Sequence, residues 1–216
     1  EIDTPGIAIT SAENKIYKEL KRLAVGEGLK KTGTAAIAGK KIISDYLVKN
    51  EFNNLRLLLP DDYSETDKNF DIIISEFRAN GSLYILKKLL YNELDVSMGK
   101  TPVLMAPLPE IKEWDGTIDD GCTPVIPFQD PSNVGSAVRS AAGFGITKII
   151  LASDAANPFH PKSIRSSAGA VFEIEFIRGP ALNEIFTLAE KSRIEIISMD
   201  KNGRNILNVE FPARFI

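Results

Sequence analysis

Apolar residues first recur at helical spacing near the start of the chain. Ile16, Leu20 and Leu23 share one face, while Lys18, Lys21 and Arg22 point away from it. Thr10 followed by Glu13 reads as a capping box ahead of this short basic helix. Beyond it the pattern predicts a strand over Thr34 to Ile37, a helix over Gly39 to Val48 and a strand over Leu55 to Leu59. Helices are expected over Asp71 to Arg78 and Ser82 to Leu90. Such alternation completes a small α/β domain. Its end is expected at Ser97 to Lys100, because Met98-Gly99-Lys100-Thr101-Pro102 is a turn-forming break before the apolar run Val103 to Ala106. Residues 1–97 are therefore read as one domain and 98–216 as a second.

In the second domain, the stretch from Pro107 to Gly121 mixes prolines, acids and Trp114 and reads as a loop. Apolar strands are then expected at Thr123 to Phe128, Lys148 to Ala152, Ala170 to Phe176 and Ile194 to Ser198, alternating with helices near 135–144, 161–166 and 180–192. Continuous apolar strands between helices indicate a parallel sheet covered on both faces.

Composition narrows the function classes. Apolar runs are short in a chain with 25% charged residues, so no stretch approaches the roughly 18–20 apolar residues that cross a bilayer. The opening Glu-Ile-Asp-Thr-Pro has neither the basic start nor the apolar core of a secretory signal. One cysteine, Cys122, and one histidine, His160, exclude an internal disulfide and the usual zinc sites. Metal-free chemistry in a reducing cytoplasm is expected. The net charge of −3 argues against a general affinity for nucleic acid, but its distribution argues the other way. From Lys15 to Lys31 six basic residues face two acids, which is either a solvated helix face or a phosphate-contacting patch.

The most informative segment is Gln129-Asp130-Pro131-Ser132-Asn133-Val134-Gly135-Ser136-Ala137-Val138-Arg139, running into a small-residue helix that ends Phe144-Gly145. It joins a strand to a helix. Its Pro, Ser, Asn and Gly supply an N-cap and let backbone approach a ligand, and free N–H groups at the helix start would suit a phosphate. The same residues occur in ordinary strand-to-helix turns.

The spacing D-P-x-N-x-G-x-x-x-R in this segment resembles the first motif of the SpoU/TrmH family of SPOUT RNA methyltransferases. Ser163-Ile164-Arg165-Ser166-Ser167-Ala168-Gly169-Ala170-Val171-Phe172 resembles that family's second motif. The helix at Thr10-Ser11-x-x-Asn14, with Gly33 and Gly39, is similar to the family's small substrate-binding domain, although Ala38 stands where many relatives carry an acid. The resemblance implies a C-terminal parallel-sheet SPOUT domain tied in a deep trefoil knot, a small N-terminal α/β RNA-binding domain, and a homodimer with a shared active site. It implies S-adenosylmethionine-dependent 2′-O-methylation of RNA, ribosomal RNA before transfer RNA; the alternative is a catalytically inactive RNA-binding module of the same fold. Arg139 is the implied catalytic residue, supported by Asn133. Because a guanidinium stays protonated, its expected task is to clamp the phosphate beside the target ribose and favour the developing alkoxide.

For RNA contact the candidates are Lys18, Lys21, Arg22, Arg165 and Ser167. Arg165 and the serines beside it read equally as the polar end of a helix. The end of the strand Ile194 to Ser198 and the turn after it, Met199-Asp200-Lys201-Asn202-Gly203, would hold what remains of the cofactor pocket, with Ser198 and Asp200 as its candidates. The family's third motif, an acidic Gly-rich loop that completes the knot, is expected after Phe211-Pro212-Ala213-Arg214-Phe215-Ile216, so the knot-closing segment is expected to be missing. His160, in the turn Pro158-Phe159-His160-Pro161, receives no role.

Overall fold

A computed structural model describes residues 6–94 and 102–216. The opening residues 1–5 and the proposed boundary at Ser97 to Lys100 lie outside the described residues.

Five strands form the first sheet: β1 (Ile7–Ile9), β2 (Thr34–Ala38), β3 (Arg56–Pro60), β4 (Leu83–Leu86) and β5 (Val103–Pro107), in the order β1-β4-β3-β5-β2. β1, β4 and β3 run parallel, and β5 is antiparallel to both β3 and β2. Helices α1 (Lys15–Ala24), α2 (Leu29–Thr32), α3 (Lys40–Lys49), α4 (Lys68–Ala79) and α5 (Lys88–Asn92) connect them. Two expectations change here. The run Ser82 to Leu90 is a strand followed by a five-residue helix, because Leu83–Leu86 pairs on both sides, with β1 and β3. The run Val103 to Ala106, assigned above to the second domain, is an inner strand of the first sheet; its four residues are buried on both faces.

The second sheet has β6 (Lys112–Glu113), β8 (Val125–Ile126), β9 (Lys148–Leu151) and β10 (Glu175–Arg178) in the order β6-β10-β9-β8, all parallel as expected. α6 (Pro131–Gly143) follows β8, α7 (Pro161–Ser166) follows β9, and α8 (Leu182–Lys191) follows β10. The sheet continues past β8. Ile150 N and Ala152 N donate to Pro124 and Ile126 carbonyls on one edge of the β8 run. On its other edge Gly121 N and Thr123 N, in and just after β7 (Gly121–Cys122), donate to Ala213 and Phe215 carbonyls. Those carbonyls belong to β11 (Arg214–Phe215) and the residue before it. Beyond β11, Ile216 N donates to the Glu195 carbonyl and Ile197 N to the Ile216 carbonyl. The last strand is thus inserted between two earlier segments. The expected strand Ile194 to Ser198 reduces to this outer edge with a single bridge at Glu195, since only its β11 side finds a partner.

The other revision falls on Ala170 to Phe176. Ala168 and Gly169 both take left-handed backbone, at φ 53° and 90°, which turns the chain into a single 3₁₀ turn over Ala170–Phe172 before β10 begins. One apolar cluster joins the two sheets: Ile37, Leu57 and Leu104 pack in the same core as Val134, Ile149, Phe159 and Ile164.

Candidate active site and nucleic-acid interface

The first motif is built by a cap. Asp130 Oδ1 accepts from Ser132 N (2.7 Å) and Asn133 N (3.0 Å), and Pro131 occupies the first turn, where a missing N–H costs nothing. The expected phosphate seat at this helix start is therefore already taken by a carboxylate, which would repel a second anion.

Gly135 was expected to bring backbone to a ligand; it brings two helices together instead. A Cβ at Gly135 would stand 2.0 Å from Ser166 Oγ and 2.3 Å from the Ser163 carbonyl oxygen. The buried Ser163 hydroxyl donates to the Pro131 carbonyl (2.7 Å) and lies 3.2 Å from that of Asn157. Motif one and motif two are thereby zipped along α6 and α7.

From this scaffold Arg139 projects one turn beyond Gly135 on the same flank. It is exposed, and no described residue takes a hydrogen bond or ion pair from it. Asn133 is also exposed, but the two are not brought together. Six positions on an α-helix separate them by about 9 Å along the axis and about 120° around it.

All strands of the second sheet end at one edge, where α/β proteins bind ligands. Ser198 and Asp200 stand in the exposed turn leaving the outer segment, two strand spacings, or about 10 Å, from the end of β8. Asp200 Oδ1 is occupied by Asn202 N at 2.8 Å. Met199 beside them is 92% exposed, and Ile206 and Leu207 of the same loop are also uncovered. These residues form an exposed, partly apolar surface and do not enclose a cavity. Arg178, absent from the sequence candidates, lies at the same edge. Its guanidinium donates to the Ala152 carbonyl at 3.2 Å, and burial pulls its pKa down. An arginine at a strand end was the one available signal.

The RNA candidates divide. Lys18 pairs with Glu13, and Lys21 with Glu93 at 2.9 Å. Arg22 and Arg165 are exposed and unpaired among the described residues. Ser167 is 1% exposed with its hydroxyl turned to the Ile164 carbonyl, so its part is to close the end of α7 rather than touch RNA. His160, given no role above, caps α7: Nδ1 accepts from Lys162 N at 3.1 Å, which leaves Nε2 to donate to the Val25 carbonyl at 3.2 Å.

A sheet with an open carboxyl edge, flanked by two helices locked through a glycine and presenting an arginine unpaired among the described residues, defines an α/β domain with a parallel sheet. Residues 125–216 match the SpoU rRNA Methylase family model. The ribosomal RNA small subunit methyltransferase G 2 of Syntrophobacter fumaroxidans is 32% identical over 209 residues, 96% of this chain and 40% of that protein. The 23S rRNA (guanosine(2553)-2′-O)-methyltransferase RlmP of Bacillus subtilis is 25% identical over 79% of this chain and 64% of its own length. The chain thus spans less than two thirds of the curated relatives it matches. Among solved structures, the AdoMet complex of the SpoU methyltransferase AviRb from Streptomyces viridochromogenes superposes with a TM-score of 0.70 at 22% identity, over 94% of this chain and 79% of that one. An rRNA methyltransferase from Sinorhizobium meliloti reaches 0.70 at 15% identity, over 96% of this chain and 78% of its own. No helix among the described residues is long and apolar enough to cross a membrane.

Proposed function

We propose that the protein methylates a ribose 2′-hydroxyl of RNA, ribosomal RNA in preference to transfer RNA, with S-adenosylmethionine as methyl donor. The observation that carries this reading is the exposed, unpaired Arg139, held on a helix fixed to motif two through Gly135. Support for the substrate comes from the relatives whose names specify rRNA and 2′-O products, and for the donor from the AdoMet-bound neighbours. The donor, when bound, supplies an electrophilic methyl group. The 2′-oxygen would gain that methyl and release its proton to solvent, the donor's sulfur taking the electron pair of the broken S–C bond.

In this account Arg139 clamps the phosphate next to the target ribose and stabilises charge growing on the 2′-oxygen. Asn133, on another side of α6, serves the same reaction from the partner copy of a homodimer, in keeping with the 120° divergence of the two side chains. Ser198 and Asp200 contribute to the donor's wall. The insertion of β11 between earlier segments supports a trefoil knot. We assign residues 1–107 to the substrate-binding part and the remainder to the methylase part, moving the expected boundary past β5, and we place the protein in the cytoplasm. The test is the position of the methyl group. Ribosomal RNA incubated with the protein and isotopically labelled donor should acquire label at a nucleotide that resists alkaline cleavage, since only a 2′-O-methyl blocks that reaction. Label at an alkali-sensitive nucleotide would place the methyl on a base and overturn the 2′-O assignment.

A further inference from the structure

The motif-two helix and the basic N-terminal segment meet at a point neither motif explains. The His160 ring fills the space above Gly26: a Cβ there would lie 2.0 Å from the ring, and Gly26 has a positive φ of 79°. With the hydrogen bond from Nε2 to the Val25 carbonyl, the ring pins the turn after α1 to the start of α7, which itself packs against β2.

Charged residues on both sides of this seam are uncompensated. On the N-terminal side are Arg22, whose Cβ lies 4.0 Å from a Cβ built on Gly28, and Lys30 and Lys31 in the four-residue α2 that follows. On the other side are Lys162, whose backbone caps on His160, and Arg165 one turn further along α7. All five are exposed, and among the described residues none has an ion-pair partner. Glu27 is the one acid on either stretch, 22–33 or 157–169. Elsewhere lysines are commonly neutralised, as at Lys18, Lys21, Lys40, Lys41, Lys49, Lys87 and Lys88. Five free cations against one acid stand out in a chain whose net charge is −3.

We propose that Arg22, Lys30, Lys31, Lys162 and Arg165 form one track for the phosphates of an RNA strand, aligned across the seam by His160. This rests on the reading of the protein as an RNA enzyme and replaces Lys18 and Lys21, whose charges are already satisfied, as the N-terminal contacts. The alignment lets cations from separate segments contact the same strand in register.

The test is binding of a labelled RNA stem-loop over a range of salt concentrations. Lys30→Ala/Lys31→Ala and Lys162→Ala/Arg165→Ala should each weaken binding and flatten the slope of log K against log salt by about 0.7–0.9 per lost phosphate contact. The control Lys68→Ala/Lys191→Ala, which removes two exposed lysines elsewhere, should match the wild type. Gly26→Ala, which changes no charge but drives a methyl into the His160 ring, should weaken binding severalfold, and His160→Ala should do the same without inserting bulk. Seam pairs that behave like the control would overturn the track. Full affinity in both the Gly26 and His160 variants would overturn its alignment. Seam-dependent binding without any methyl transfer would sink the enzyme reading while leaving the track intact.

Discussion

The glycine of motif one shows how a residue that looks reserved for a ligand can serve packing. In an exposed helix Gly→Ala gains about 1 kcal/mol from propensity, but at Gly135 the new methyl would overlap Ser166 Oγ and the Ser163 backbone. Overpacking of this kind costs about 1–3 kcal/mol and decides the sign. Gly135→Ala is expected to lower the thermal midpoint. Gly143→Ala, at the end of the same helix with nothing within 4 Å of its Cβ, should raise it; equal shifts would refute the packing account. Other single residues were partly readable. Asp130 was in the motif, but that its carboxylate would fill the helix start was not. The capping box expected at Thr10 and Glu13 yields to Asn14, whose Oδ1 takes Ile16 N and Tyr17 N, since α1 begins one residue after Asn14. Arg139 was singled out by the motif alone, and its exposure came from the structure. The part played by Ser167 was not legible, because a serine in sequence does not reveal which way its hydroxyl turns.

Among the elements, apolar runs separated strand from helix at β3, β5 and β9, which are buried on both faces. They failed at Ser82 to Leu90, where neighbours on both sides impose a strand, and at Ile194 to Ser198, where pairing on one side alone leaves an edge. The loop between β3 and α4 holds a device no periodicity could announce. The Glu65 carboxylate is buried beneath the start of α3. Burial alone would raise its pKa, but hydrogen bonds from Tyr63, the Asp67 amide, Lys40 and the Thr66 amide outweigh it and hold the group down to about 2. Between that value and the ordinary glutamate range near 4.3 the unfolded chain binds the proton that the folded chain refuses. The contribution of Glu65 is therefore complete above the ordinary range and lost as pH falls towards about 2. Glu65→Gln should lower stability at neutral pH and flatten the acid limb of the denaturation curve; an unchanged acid limb would show that the network does not tie α3 to this loop.

At the scale of the molecule, the sequence separated two α/β parts but set the division before β5, because the turn at Met98 to Pro102 looks like a linker and the pairing of β5 with β2 and β3 is non-local. The shared core around Val134, Ile164 and Ile37 then makes the motif helices part of one packed body with the N-terminal sheet. That body presents Arg139 without a partner among the described residues, and the proposed chemistry depends on it. The most direct measurement is the rate of methyl transfer to ribosomal RNA by Arg139→Ala, taken together with its RNA affinity. The account predicts a loss of about a hundredfold or more in rate, the scale for removing a group that stabilises developing charge, with affinity changed only a few fold. Undiminished transfer, or a loss of affinity that accounts for the whole loss of rate, would contradict it.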